Sequence, residues 1–417
     1  MADYRPRVAD AELALRMSAI GAVLIEGAKA VGKTVTASQV AATVVRLDVD
    51  RVARAALETM PEQLFTLPTP ILFDEWQETP EIWNLVRRAV DDHASRGLYL
   101  LTGSARPRDT TPLHSGAGRI GRLRMRPMSL FETGHSSGAV SLAGLLAGDA
   151  VVGTAVPMTI PALLERVVIG GWPDLLGADE VEARAWLRDY VLTLAEVDLP
   201  AMGPRRNPVN VSRLLAALAR NAGTPLNRSG LAVDVGGDGG PIASETLTNY
   251  LTALERLMLI EPVPAWRPHM RSRTRLRTTP VHHFTDPSIG LAALGVGTQE
   301  LLRDLSAAGL QFESLVMRDL RIYGQPLGAT FSSWRDSRTG HEVDAILELA
   351  DGRWAAFEIK LGEAAVDRAA AGLLDCAGKI DAIQHGDPLA LVVLTGGRFV
   401  YRRPDGVWVV PITALGP

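Results

Sequence analysis

The sequence predicts an α/β chain in three units: a parallel sheet first, a helical middle from about residue 156, and a second, smaller α/β unit from about 276 to 417. Three observations carry that expectation. The apolar runs Ala22-Val23-Leu24-Ile25, Ile71-Leu72-Phe73 and Leu98-Tyr99-Leu100-Leu101 stop near glycine or acids, as buried strands do. Residues 207–259 hold three helix-like segments. Val343 to Leu349 and Trp354 to Leu361 are strand-like runs joined by Ala350-Asp351-Gly352-Arg353, a hairpin signal. With 47% hydrophobic and 22% charged residues, the chain has the composition of packed rather than disordered material.

In the first unit (residues 1–155), Gly27-Ala28-Lys29-Ala30-Val31-Gly32-Lys33-Thr34 follows the first apolar run and precedes Val35 to Val44, which has no Gly or Pro and reads as a helix. Strand, glycine loop and helix are the context of a phosphate-binding loop, in which backbone N–H groups face an anion. Lys33 would reach the β and γ phosphates of ATP, and the Thr34 hydroxyl would ligate Mg²⁺. Lysine is scarce here, with only four in the chain, so Lys33 and Lys360 mark places where a compact ammonium suits better than the arginine used elsewhere. Asp74 and Glu75 end the second apolar run, where Asp74 would hold Mg²⁺ and Glu75 would polarise water. The plainer reading of Asp74 is a helix cap. Leu98 to Leu101 ends at Thr102-Gly103-Ser104, where Thr102 or Ser104 would sense the γ-phosphate or simply make a turn.

These residues, with Gly118-Arg119 and Arg126-Pro127-Met128-Ser129-Leu130-Phe131-Glu132, resemble an AAA+-like family of prokaryotic P-loop ATPases. The resemblance continues through Gly170-Gly171-Trp172-Pro173, Asp189-Tyr190, Asp198-Leu199, His283-Phe284-Thr285-Asp286, Phe312-Glu313 and Glu342-Val343-Asp344, so it covers most of the chain. It implies a P-loop NTPase fold, and a C-terminal domain of unknown function related to restriction endonucleases. It also implies an arginine, often from a neighbouring subunit of an oligomer, that stabilises transition-state charge. Arg119 is the matching candidate, with Arg122, Arg124 and Arg126 nearby.

In the middle unit, Asn207 to Gly223, Leu226 to Val235 and Ser244 to Leu259 read as helices, with Gly236 to Gly240 a flexible loop. Followed by Ile260-Glu261-Pro262-Val263, they resemble a winged helix-turn-helix. Arg271, Arg273, Arg275 and Arg277 are spaced by two, which in an extended strand puts four guanidinium groups on one face, a row suited to a DNA backbone or to salt bridges.

At the C-terminal end, the register of the hairpin decides its chemistry. A two-residue loop sets Asp344 opposite Ile359, whereas a three-residue loop sets it opposite Glu358 and leaves the cleaner apolar face, which favours the second. Asp344, Glu358 and Lys360 then assemble as in the D…(D/E)-x-K arrangement of restriction-type nucleases, where carboxylates hold Mg²⁺ against a phosphate and lysine orients water. Glu313 matches the upstream acid that the resemblance implies. The alternative is an ordinary solvated strand face.

Cys376 is the single cysteine, and the amino terminus Met1 to Pro6 lacks the apolar core of a signal peptide, which points to a cytoplasmic protein. The stretch from Ala139 to Leu164 carries Asp149 and two prolines, against a membrane span and in favour of a linker or small helical lid. A net charge of −4 excludes a globally basic coat for nucleic acid. The combined expectation is a Mg²⁺-dependent ATPase coupled to DNA and acting as a homo-oligomer. The alternatives are a nucleotide-controlled regulator with an inert C-terminal unit, and an ATP-regulated nuclease.

Overall fold

The computed structural model describes residues 4–93, 95–104, 114–149, 153–202, 206–266, 279–336 and 340–417. Arg271, Arg273, Arg275 and Arg277 lie outside the described residues. The chain divides into two compact units, residues 1–127 with Leu254–Leu259, and the remainder.

In the first unit, β1 Ala22–Glu26, β2 Thr43–Arg46, β3 Ile71–Asp74, β4 Tyr99–Gly103 and β5 Ile120–Arg124 form a parallel sheet in the order β2-β3-β4-β1-β5. β1, β3 and β4 are buried along their whole length, which explains why their sequences are continuously apolar rather than alternating. Leu24, Phe73, Tyr99 and Leu101 join Trp76 and Trp83 in one core, with the two indole rings 5.1 Å apart. Such side chains stabilise by roughly 1.5–3 kcal/mol each on burial. The helix expected from Val35 to Val44 is shorter than expected: it spans Lys33–Ser38, and Thr43–Arg46 is the edge strand β2, paired Thr43 to Ile71. Thr43-Val44-Val45 is a β-branched run, and its stiff side chains suit a pleated surface better than a helix.

In the second unit, three helices, Pro208–Arg220, Arg228–Gly236 and Ser244–Arg256, come in succession. The first two are set by their caps: Asn207 accepts from the Val209 N–H ahead of a proline, and Asn227 accepts from the Gly230 N–H. The third stops short of Leu259, and Met258 adopts a positive φ of 59°. β7 Ile260–Val263 then pairs antiparallel with β8 Val281–Phe284. The region expected to be a linker or lid contains β6 Val140–Ser141, the helix Leu142–Ala147 and the start of the helix Ile160–Ile169.

The remaining strands, β9 Thr330–Arg335, β10 Glu342–Glu348, β11 Trp354–Lys360, β12 Leu391–Thr395, β13 Tyr401–Arg402 and β14 Trp408–Pro411, make a mixed sheet in the order β13-β14-β12-β11-β10-β9. β15 Leu415–Gly416 pairs with β6. Ala345 opposes Phe357 and Glu348 opposes Trp354, the register of the three-residue loop, so Asp344 falls across from Glu358. Among the described residues, no helix is long and apolar enough to cross a membrane.

Candidate functional site

β1 lies between β4 and β5, so the carboxyl ends of β1, β3 and β4 deliver their following residues to one edge of the sheet, the edge at which open α/β sheets bind ligands. The loop after β1 requires glycine twice. A Cβ at Gly27 would stand 2.3 Å from the Met125 carbonyl oxygen, and Gly32 sits at φ 95°. Ala28 and Val31 are buried, Lys29 is exposed, and Ala30 takes φ 62°.

This turn brings Lys33 back over its own loop. The Lys33 ammonium donates to the carbonyls of Gly27 (3.0 Å) and Ala28 (2.8 Å) and to Ser104 Oγ (2.8 Å). All three acceptors are neutral. Lys33 is only 4% exposed. Burial pulls its pKa down to about 8, against the opposing pull of Glu75 and Asp74. The Thr34 hydroxyl donates to Asp74 Oδ1 at 2.7 Å, and the Thr102 hydroxyl donates to the same oxygen. A hydroxyl and a carboxylate thus meet at the end of β3, a hard-oxygen pair of the kind Mg²⁺ takes.

Glu75 follows in a left-handed conformation, φ 52° and ψ 50°, before the short turn Trp76–Glu78. Its carboxylate accepts from Gln77 Nε2. Arg119 precedes β5 and its carbonyl accepts from the Ala22 N–H at the start of β1, so it lies at the opposite end of the sheet from the loop after Glu26. Five residues of strand separate the two ends by about 16 Å. Arg119 pairs with Asp91 at 2.8 Å. That position sets Arg119 away from the phosphate loop of its own chain.

Two residues not singled out in the sequence join the site. Arg7 donates to the Val31 carbonyl at 2.9 Å and to the Arg126 carbonyl at 2.7 Å, tying the phosphate loop to the segment after β5. Gln77 holds Glu75. For Arg7 no local signal exists, because its partners lie 24 and 119 positions away. Gln77 had one, its place two residues after the acid pair.

The C-terminal constellation is built differently. Lys360 Nζ lies 3.0 Å from Asp344 Oδ2 and 2.5 Å from Glu358 Oε2, and the Ile359 N–H also donates to Asp344 at 2.7 Å. Burial pulls Lys360 down, but Asp344 and Glu358 together hold it above the usual lysine range. Burial and the neighbouring Asp344 push Glu358 up to about 8. Glu358 is 5% exposed, which excludes the solvated-face alternative for this acid. Glu313, on the helix Leu305–Gly324, is held well above the carboxylate range by burial and by Asp344. It lies 3.7 Å from His283 Nε2, and that ring stays neutral because burial brings its pKa down to about 3. Among the described residues, no three His, Cys, Asp or Glu side chains gather to hold a metal ion.

Other motifs of the second unit meet in its core. Arg318 pairs with Asp286 at 2.7 Å and with Asp319 at 2.8 Å. Asp286 also accepts from the Gly171 N–H and Asp319 from the Leu130 N–H, each at 2.9 Å. A Cβ at Gly171 would stand 1.9 Å from the Met128 carbonyl oxygen. The Gly170-Gly171-Trp172 and His283 to Asp286 segments are therefore packing and hydrogen-bonding devices in this fold.

Residues 20–134 match the family described as AAA domain, and this part of the chain is an AAA-like P-loop ATPase domain. Residues 160–300 and 308–415 match two families described as domains of unknown function, DUF8612 and DUF4143. An uncharacterized protein of Mycobacterium tuberculosis and one of Mycobacterium bovis are each 24% identical over 294 residues, 70% of this chain and 58% of theirs. The chain thus spans little more than half the length of these curated relatives. Among solved structures, the Walker-type ATPase of Pyrococcus abyssi aligns with a TM-score of 0.41 and 13% identity, over 70% of this chain and 99% of its own. A RuvB variant of Thermotoga maritima aligns with a TM-score of 0.27 and 16% identity, over 63% of this chain and 94% of its own.

Proposed function

We propose that the chain is a Mg²⁺-dependent ATPase that works as a homo-oligomer and couples hydrolysis to binding, remodelling or translocating DNA. The observation that carries the ATPase part is the convergence of Lys33, Thr34 and Asp74 at the carboxyl edge of the parallel sheet. Lys33 has three neutral acceptors and no paired carboxylate within its hydrogen bonds, so it gains by exchanging them for the anionic oxygens of a triphosphate. Thr34 and Asp74 would hold Mg²⁺, whose charge would offset that of the phosphates. Glu75 takes a proton from the attacking water as the water oxygen bonds to the terminal phosphorus. The bond to the bridging oxygen breaks, and its electron pair leaves with the diphosphate. Ser104, held by Lys33, senses the terminal phosphate, and Arg119 of an adjacent subunit stabilises the developing charge.

The DNA part draws on the row Arg271, Arg273, Arg275 and Arg277, and on three helices followed by the β7–β8 pair, the order of a winged helix. ATP turnover measured alone and with duplex, single-stranded and branched DNA tests both parts. Stimulation by one class of DNA is the expected result, while turnover without stimulation or low-salt binding removes the DNA role.

A second reading is favoured by the closed Lys360 cluster. If the C-terminal sheet is an inactive nuclease-like domain, ATP sets the conformation of a DNA- or protein-binding regulator, and turnover stays slow and indifferent to DNA. Divalent-dependent cutting lost in Asp344→Ala and Lys360→Ala would instead make the chain an ATP-regulated nuclease.

A further inference from the structure

Gln77 is placed by three features from different parts of the first unit. Glu75 occupies the left-handed region at φ 52°, a conformation that costs a non-glycine residue energy and recurs at functional sites. That turn sends Trp76 into the core against Trp83 and folds Gln77 back, so that its Nε2 donates to Glu75 Oε2. Gln77 Oε1 is buried and, among the described residues, has no hydrogen-bond partner. A half-buried amide whose buried acceptor is orphaned is a poor stability device.

Gly103, the last residue of β4, makes the arrangement possible. A Cβ there would stand 2.6 Å from Gln77 Oε1 and 2.8 Å from Trp76 Nε1. Gly103 has no positive φ to explain it, so the space its missing side chain leaves is what the amide uses. One end of the amide is pressed against that space, and the other is committed to a single carboxylate oxygen.

We propose that Gln77 is a positioning residue for Glu75, fixing one carboxylate oxygen so that the other meets the attacking water; this rests on the ATPase reading above. Gln77 touches neither nucleotide nor water in this role. Its loss therefore changes the rate of the chemical step and not the grip on ATP.

The test compares wild type, Gln77→Met, which keeps length and bulk without the amide, and Gly103→Ala, which displaces the amide from outside. Steady-state kcat and KM, ATP affinity by calorimetry and thermal midpoint are measured for each. Both variants are expected to lower kcat by about 10- to 100-fold, the scale of a misplaced reacting group, with ATP affinity within about twofold of wild type. Gln77→Met should keep the wild-type thermal midpoint, because it also removes the orphaned oxygen. Wild-type kcat in Gln77→Met overturns the inference while leaving the ATPase reading intact. A joint fall in ATP affinity and thermal midpoint overturns it in favour of a purely structural role. Absence of turnover in the wild type overturns both.

Discussion

Lys33 and Lys360 are the same side chain in opposite electrostatic settings. The first donates only to two carbonyls and a hydroxyl, and burial brings it down to about 8. The second lies between two carboxylates and is held above the ordinary lysine range. The difference is one of unspent charge. An ammonium held by neutral acceptors still has its Coulomb energy to give to an arriving phosphate, whereas one already paired must first give up a carboxylate. By this criterion an arriving anion would meet less competition at Lys33 than at Lys360, which belongs to a closed ion cluster.

The largest effect should come from breaking the first setting. Lys33→Ala is expected to reduce ATP turnover by at least about 10³-fold, the scale associated with removing preorganised charge from a reacting phosphate. Phosphate release measured beside the circular dichroism spectrum checks it. A variant that keeps half its turnover would mean that Lys33 is a structural lysine like Lys360.

Arg318 extends the paired setting to full burial, because it stands between Asp286 and Asp319 with almost no exposure. Replacing it with Met leaves two carboxylates facing each other without a cation, and about 3–5 kcal/mol of stability should be lost in urea unfolding. Asp319 adds a pH signature. Burial pushes it up to about 6, against Arg318 and the Leu130 N–H, from an ordinary value of 3.8. The folded chain therefore binds more protons than the unfolded one across that window. Its contribution is fully present below pH 3.8 and is lost as pH rises through 6, a swing of up to about 3 kcal/mol. Urea midpoints at pH 4, 5 and 6.5 for wild type and Asp319→Asn isolate it, and identical slopes for the two proteins would refute the assignment.

The two lysine sites were unequally legible in the sequence. Lys33, Thr34 and Asp74 could be read because the glycine loop follows one apolar run and Asp74 ends another, and a parallel sheet brings such ends to one edge. The hairpin register was also legible, since only the three-residue loop sorts apolar from polar residues. The environment of the hairpin was not. Alternation suggested a wet face, but β11 lies between β10 and β12 and Glu358 is buried there. The missing glycines and prolines from Val35 to Val44 were no evidence for helix once Thr43-Val44-Val45 could join the edge of a sheet. For Gln77 the position was visible, two residues after the acid pair, but its contact was not: that depends on a backbone angle at Glu75 and on an absent side chain at Gly103, and neither has a local pattern.

The smallest effect should come from opening the Lys360 cluster, for a reason that differs from the Arg318 case. Burial and Asp344 push Glu358 up to about 8, which weakens its share of the pairing and leaves Asp344 as the main partner of the ammonium. Lys360 is also a quarter exposed, which lets solvent screen the pair. Lys360→Met should therefore cost only about 1–2 kcal/mol in urea unfolding at pH 7, because the Ile359 N–H still serves Asp344. Basal ATP turnover should be unchanged, since the variant leaves Lys33 and its three acceptors in place. A loss as large as that of Arg318→Met would mean that Glu358 is ionised and that the cluster holds two buried negative charges. In that case the hairpin would regain the unspent charge that distinguishes the first unit, with the sign reversed.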